Sequence, residues 1–288
     1  MNITRAFLFL SILIFFSCQS NKNKQEGEKS FVITNKSVLD LKDSIANFNE
    51  VQSSHISYAG TPSSQYKNYK NLVQIASIKE LYQLTKDTNN VVATYATFGL
   101  IDKESPKFID VFEHFLKTDK KVQTMKGCII GSDLVYSEIY FKYWNELHLS
   151  TEDEKVTFQK DAQLLKLDSL VLATDNVDWL LIRTVFKNRI FDSAYLPLIE
   201  KQAFHKENIE AINYIFKHHK TDYEKQLISA LKNYLKRKEI IPMFYEDIFK
   251  MMHSFQIEEL DALLIQELDK IEAKYGKSSA EYYKKMLQ

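Results

Sequence analysis

Residues that could do chemistry are present in this chain, but few are spaced to do it together. Gly276-Lys277-Ser278 ends like a phosphate-binding loop, yet the first glycine of that loop would fall at Ile271, and no strand pattern precedes it. His218 and His219 are adjacent, so on a helix they point about 100° apart and cannot both hold one metal ion. None of the seven histidines stands in a His-Glu-x-x-His spacing, and no metal site is expected. Glu152-Asp153-Glu154, following Thr151, reads as the acidic first turn of a capped helix rather than a pair of catalytic carboxylates. Cys128 stands in Met125-Lys126-Gly127-Cys128-Ile129-Ile130, where an apolar helical setting predicts a buried, inert thiol. The richest cluster is aromatic. Tyr136, Tyr140 and Trp144 recur every four residues and run on to His148, beside Val135, Ile139, Tyr143 and Leu147. This predicts a helix over about 132–148, capped by Ser132, whose apolar face is wide enough to be buried on two sides or to keep one for a ligand. Tyr136, Tyr140, Trp144 and His148 are therefore the candidate binding residues. No catalytic set accompanies them, so neither enzymatic activity nor a cofactor is expected.

Cys18 carries a different chemistry. One basic residue, Arg5, precedes an apolar run over 6–16, and Ser17-Cys18 closes it. Eleven helical residues reach about 16 Å, roughly half of a bilayer core, which suits an export signal rather than a span. Phe15-Phe16-Ser17-Cys18 resembles the bacterial lipobox. That resemblance implies a signal peptide over 1–17, a lipid on Cys18, and attachment to the membrane through that lipid. Residues 19–29 contain no apolar side chain and read as a solvated spacer, so 18–35 is anchor plus linker. Gln19, where an aspartate would mark inner-membrane retention, favours the outer membrane, and lysines just after it, where surface-exported lipoproteins carry acidic residues, favour the periplasmic face. With 38 basic and 38 acidic residues, the chain has no net field to attract nucleic acid.

Six glycines and four prolines are too few for a turn-rich β fold, so the body should be helical. It is also periodic. Val91, Val122, Val177, Ile209 and Ile241 each follow a polar break, at intervals of 31, 55, 32 and 32 residues. Ten residues earlier stand Leu81, Phe112, Leu167, Ile199 and Leu231, and seven earlier Leu84, Phe115, Leu170, Gln202 and Tyr234. Three residues later come Thr94, Met125, Leu180, Ile212 and Phe244, and seven later Phe98, Ile129, Thr184, Phe216 and Ile248. The earlier columns define one face of a first helix and the later ones a face of a second. The long interval carries the aromatic helix as an insertion. At the ends, 37–51 and 256–275 read as single amphipathic helices, with a last helix over 278–287.

Helix, short polar turn, helix at this period resembles the HEAT repeat, most closely over 81–96. The resemblance implies an all-α fold, a right-handed α-α superhelix of stacked helical hairpins over 36–288. It also implies a scaffold that binds another protein or peptide. The expectation is therefore a lipid-anchored envelope scaffold. A ligand-binding or enzymatic module at the aromatic helix, and a purely structural envelope component, stand as alternatives.

Overall fold

A computed structural model describes residues 31–150, 159–187 and 189–287. The chain divides into two units, Met1–Val32 and Ile33–Gln288, and the fold described belongs to the second. The signal segment, Cys18, the spacer and the capping box at Thr151 all lie outside the described residues.

Short polar side chains set the helix starts. Asn35 caps α1 (Lys36–Phe48), Ser63 caps α2 (Ser64–Ile75), Ser77 and Glu80 form a reciprocal capping box on α3 (Ile78–Leu84), and Asn89 caps α4 (Asn90–Asp102). Helix α4 is buried at every position from Val91 to Ile101, the mark of a helix surrounded by others. Gly99 makes that possible: a Cβ there would sit 3.0 Å from a Leu81 methyl and 3.1 Å from Val73. Asp102, at its end, takes the Tyr69 hydroxyl of α2 at 2.5 Å and the Lys142 ammonium at 2.7 Å. Burial disfavours its charge, but Lys142, Tyr69 and Lys70 outweigh that and hold the carboxyl below the usual range.

The all-α expectation needs correction here. Strands β1 (Val51–Ile56), β2 (Thr61–Pro62), β3 (Lys121–Gly127) and β4 (Ile129–Leu134) form one mixed sheet in the order β2-β1-β3-β4. Two antiparallel hairpins are joined by a parallel β1–β3 pairing. The second helix expected at the Val122 repeat is thus a hairpin, and Val122, Met125 and Ile129 lie on strands. In β3 burial alternates, with Val122 and Thr124 inside and Lys121 and Gln123 outside, a period of two where a period of 3.6 was expected. Ser132 sits in β4 rather than capping a helix; α6 begins at Val135 and runs Val135–Ser150. Cys128 is exposed, not buried, because Gly127 at φ +60° opens a tight hairpin turn that places the thiol at its tip.

Beyond α5 (Phe108–Leu116) and α6 the described chain is helical. α7 (Ala162–Ala173) is capped by Asp161, α8 (Trp179–Phe186) by Asp178, and α10 (Ile209–His219) by Asn208. α9 (Leu196–Glu200) continues through a π-helical turn, Lys201–His205. Then follow α11 (Glu224–Leu235), α12 (Tyr245–His253), α13 (Glu258–Tyr275) and α14 (Lys277–Lys284). α7 packs on α8, α9 on α10 and α11 on α12, while α8 lies against α10 and α10 against α12. Tyr283 of α14 stacks near Tyr245 and Phe249 of α12.

All five residues of the first column, Leu81, Phe112, Leu167, Ile199 and Leu231, are buried. The second-helix columns hold at Val91, Thr94 and Phe98 and at Ile209 and Ile212, but Leu180 is 46% exposed and Ile241 39%. The reason is the cap. Asp178 accepts from the N–H groups of Leu180 and Leu181, so α8 begins after Val177 and turns Leu181, Ile182 and Val185 inward instead. Gln202, the one polar member of its column, is buried with purpose: its amide donates to the carbonyls of Leu172 at 2.8 Å and Thr174 at 3.0 Å, at the end of α7. Gln202→Ala should strand both carbonyls and cost about 1–3 kcal/mol. Urea unfolding checks this, and an unchanged midpoint would show that water replaces the amide.

Candidate functional site

The four aromatic-helix candidates divide into two pairs. Tyr136 and Tyr140 of α6 are interior. The Tyr140 hydroxyl donates to Asp168 Oδ1 of α7 at 2.7 Å, and Asp168 Oδ2 lies 2.7 Å from Arg189 Nη2, with all three side chains buried. Burial pushes the Asp168 carboxyl up to about 7, although Arg189 and the Tyr140 hydroxyl pull the other way. The Tyr136 hydroxyl accepts from the Asp178 N–H at 3.3 Å, at the start of α8. These tyrosines fasten α6 to α7 and α8. Trp144 and His148 stand further along α6, their rings stacked at 5.1 Å and 13°, with the Lys187 ammonium 5.4 Å from the Trp144 centroid.

Lys187 leads from that aromatic pair into a cleft of about 450 Å³ between α8 and α10. Its walls come from the two facing second helices. α8 contributes Leu180, Arg183 and Thr184, with Lys187 just past its end, and α10 contributes Glu210, Asn213, Lys217 and His218. Phe186 and Tyr214, with rings 5.3 Å apart, complete the lining. The half-exposed Leu180 is thus a wall residue. Spacings of three and four within each helix turn these side chains to one side.

The charge of the cleft is unbalanced. Arg183 Nε stands 3.6 Å from Glu210 Oε1, and its Nη1 reaches Met243 Sδ at 3.3 Å, while Lys217 makes no ion pair among the described residues. Three cations and one carboxylate thus line the cleft, and Asp247 acts on that carboxylate from outside the lining. Burial raises Glu210, partly offset by Arg183, and burial together with the neighbouring His219 and Lys217 charges holds His218 below the usual imidazole range. Asn213 is nearly buried, and among the described residues no hydrogen bond engages its amide. The Tyr214 hydroxyl accepts the Phe191 N–H at 2.8 Å, which leaves its own proton to donate. Cationic, hydrogen-bonding and aromatic groups in one cleft suit a carboxylate-bearing ligand.

Sequence reasoning missed Arg183, Lys187, Asn213 and Lys217. Their only signal is polar residues three and four apart on second helices, a pattern that any solvated helix face shares. Other candidates have structural roles: Lys277 lies 3.8 Å from Glu281 on α14, and Arg237 donates to the Glu207 carbonyl at 2.9 Å, bracing the turn before α10. Among the described residues no group of three or more histidine, cysteine or acidic side chains could hold a metal ion, and no helix is long and apolar enough to cross a membrane. No protein-family model matches the chain, and no curated protein or solved structure matches it either.

The Asp168 carboxyl has an ordinary value of 3.8 and stands at about 7 in the fold, so the folded chain holds that proton more tightly than the unfolded one. The stability it contributes is full below about pH 4 and is lost as pH rises through about 7. The unfolding free-energy difference between wild type and Asp168→Asn should therefore change by about 1.4 kcal/mol per pH unit across that window and level off above it. A difference independent of pH would contradict a buried, titrating Asp168.

Proposed function

We propose that residues 36–288 are a HEAT-like α-solenoid, interrupted by a small sheet, that serves as a protein-interaction scaffold in the bacterial envelope. A lipid on Cys18 would tether it to the outer membrane, facing the periplasm. The α8–α10 cleft receives an acidic segment of a partner protein, and the chain binds rather than catalyses. One observation carries this reading: Arg183, Lys187 and Lys217 line one cleft whose lining holds a single carboxylate, Glu210, with Asp247 close enough to act on it. Packing of second helix on second helix, α8 on α10 on α12, supports the solenoid. The apolar run and Ser17-Cys18 support the anchor. Trp144 and His148, joined to the cleft through Lys187, would extend the contact along an aromatic ledge.

Binding of an anion beside His218 would raise its depressed pKa, so affinity should increase as pH falls through and below its ordinary value of 6.5. The direct test places a photo-crosslinking residue at Thr184 in living cells. The expected result is a discrete adduct with a protein bearing an acidic stretch, lost in the Arg183→Glu/Lys217→Glu variant while its melting temperature stays unchanged. Capture that ignores the charge reversal, or no capture by a folded chain, would overturn the reading.

A further inference from the structure

The parallel β1–β3 pairing brings both hairpin turns to the same end of the sheet. They are bonded to each other there: the Ser57 N–H donates to the Gly127 carbonyl at 2.9 Å, and the Gly127 N–H donates to Ser53 Oγ at 3.0 Å. This double tip is apolar and bare. Tyr58 is 100% exposed, Ile129 and Ile130 are 70% exposed each, and Cys128 is exposed beside them. No other adjacent pair of large apolar side chains among the described residues is as open.

The geometry selects among occupants. Neighbours along a strand point to opposite faces of a sheet, so a protein lying on one face would cover Ile129 or Ile130 and leave the other in water. A fluid apolar medium surrounding the tip takes both. Part of the tip's backbone is already satisfied for such a medium: besides Ser57 and Gly127, the Gly60 N–H donates to the Ser57 carbonyl at 3.2 Å. Charge beneath it is neutralised, with Lys126 Nζ 3.1 Å from Asp133 and 2.6 Å from Glu138. Tyr58 has an apolar ring and a polar hydroxyl, the composition favoured at headgroup level.

We infer that the paired hairpin tip, with Tyr58, Ile129 and Ile130, inserts into the interfacial layer of a lipid bilayer, as a membrane contact separate from the lipid on Cys18. A tether alone lets the folded unit swivel, whereas a second contact fixes which way it faces. Because the tip lacks a cation cluster, insertion should not require anionic lipid.

The test uses the mature chain purified from envelopes and placed on neutral phosphatidylcholine vesicles, with an environment-sensitive nitrobenzoxadiazole label on Cys128. Insertion predicts blue-shifted emission and quenching by spin-labelled lipid. Ile129→Asp/Ile130→Asp, which alters only exposed positions, should reduce the quenched fraction at least tenfold yet still co-sediment with vesicles through its anchor. An unmodified chain that co-sediments while its label stays in water overturns the inference and leaves the anchor standing. A chain that does not co-sediment at all overturns both, and emission that shifts only when a second protein is added assigns the tip to a protein partner instead.

Discussion

A carboxyl group shut away from the surface must be matched by a donor or a countercharge, and Asp168 is the place where this chain meets that demand. The Tyr140 hydroxyl and the Arg189 guanidinium, both buried, supply the match from α6 and from the segment beyond α8. Removing one partner of such a group strands the other, which typically costs about 3–5 kcal/mol. The joint therefore fixes three stretches of chain at once. Arg189 lies 5.2 Å from the Phe191 ring, and the Phe191 N–H is held by the Tyr214 hydroxyl at 2.8 Å. Through these contacts the interior joint reaches the floor of the α8–α10 cleft. A surface that must present Arg183 and Lys217 in register needs such rigidity behind it.

A second device recurs where helices end. Gln65 donates its amide to the carbonyls of Ile45 and Glu50, both at 3.1 Å, and Gln202 does the same for Leu172 and Thr174. Each glutamine is buried on a neighbouring helix and donates to carbonyls at a helix end, although Ile45 there also accepts the Asn49 N–H. With it, helices can end inside the packed unit rather than at its surface, and so few glycines are needed for C-terminal caps.

The columns of first helices were legible because burial there depends only on local spacing: Leu81, Phe112, Leu167, Ile199 and Leu231 are all core. Caps at Asn89 and Asn208 were legible for the same reason. The sheet was not. Val122 and Met125 satisfy a helical spacing while Val122 and Thr124 satisfy a strand's, and the parallel partner that decides between them, Val51 and Gln52, lies some seventy residues away. Cys128 followed that error, since a hairpin tip and a helix interior differ only in what surrounds them. The aromatic stripe was visible, but its division was not: whether Tyr140 faces a ligand or Asp168 depends on a carboxylate 28 residues further along. The cleft escaped because its cations form a site only when two helices face each other.

Hydrogen exchange on an Arg189→Leu variant tests the central claim most directly. If the buried joint holds the cleft's framework, amides of α6, α7 and α8 lose protection together and α10 follows, while α2 and α4 keep theirs. Loss confined to the few residues flanking position 189 would show that the cleft stands without the joint, and would contradict the account.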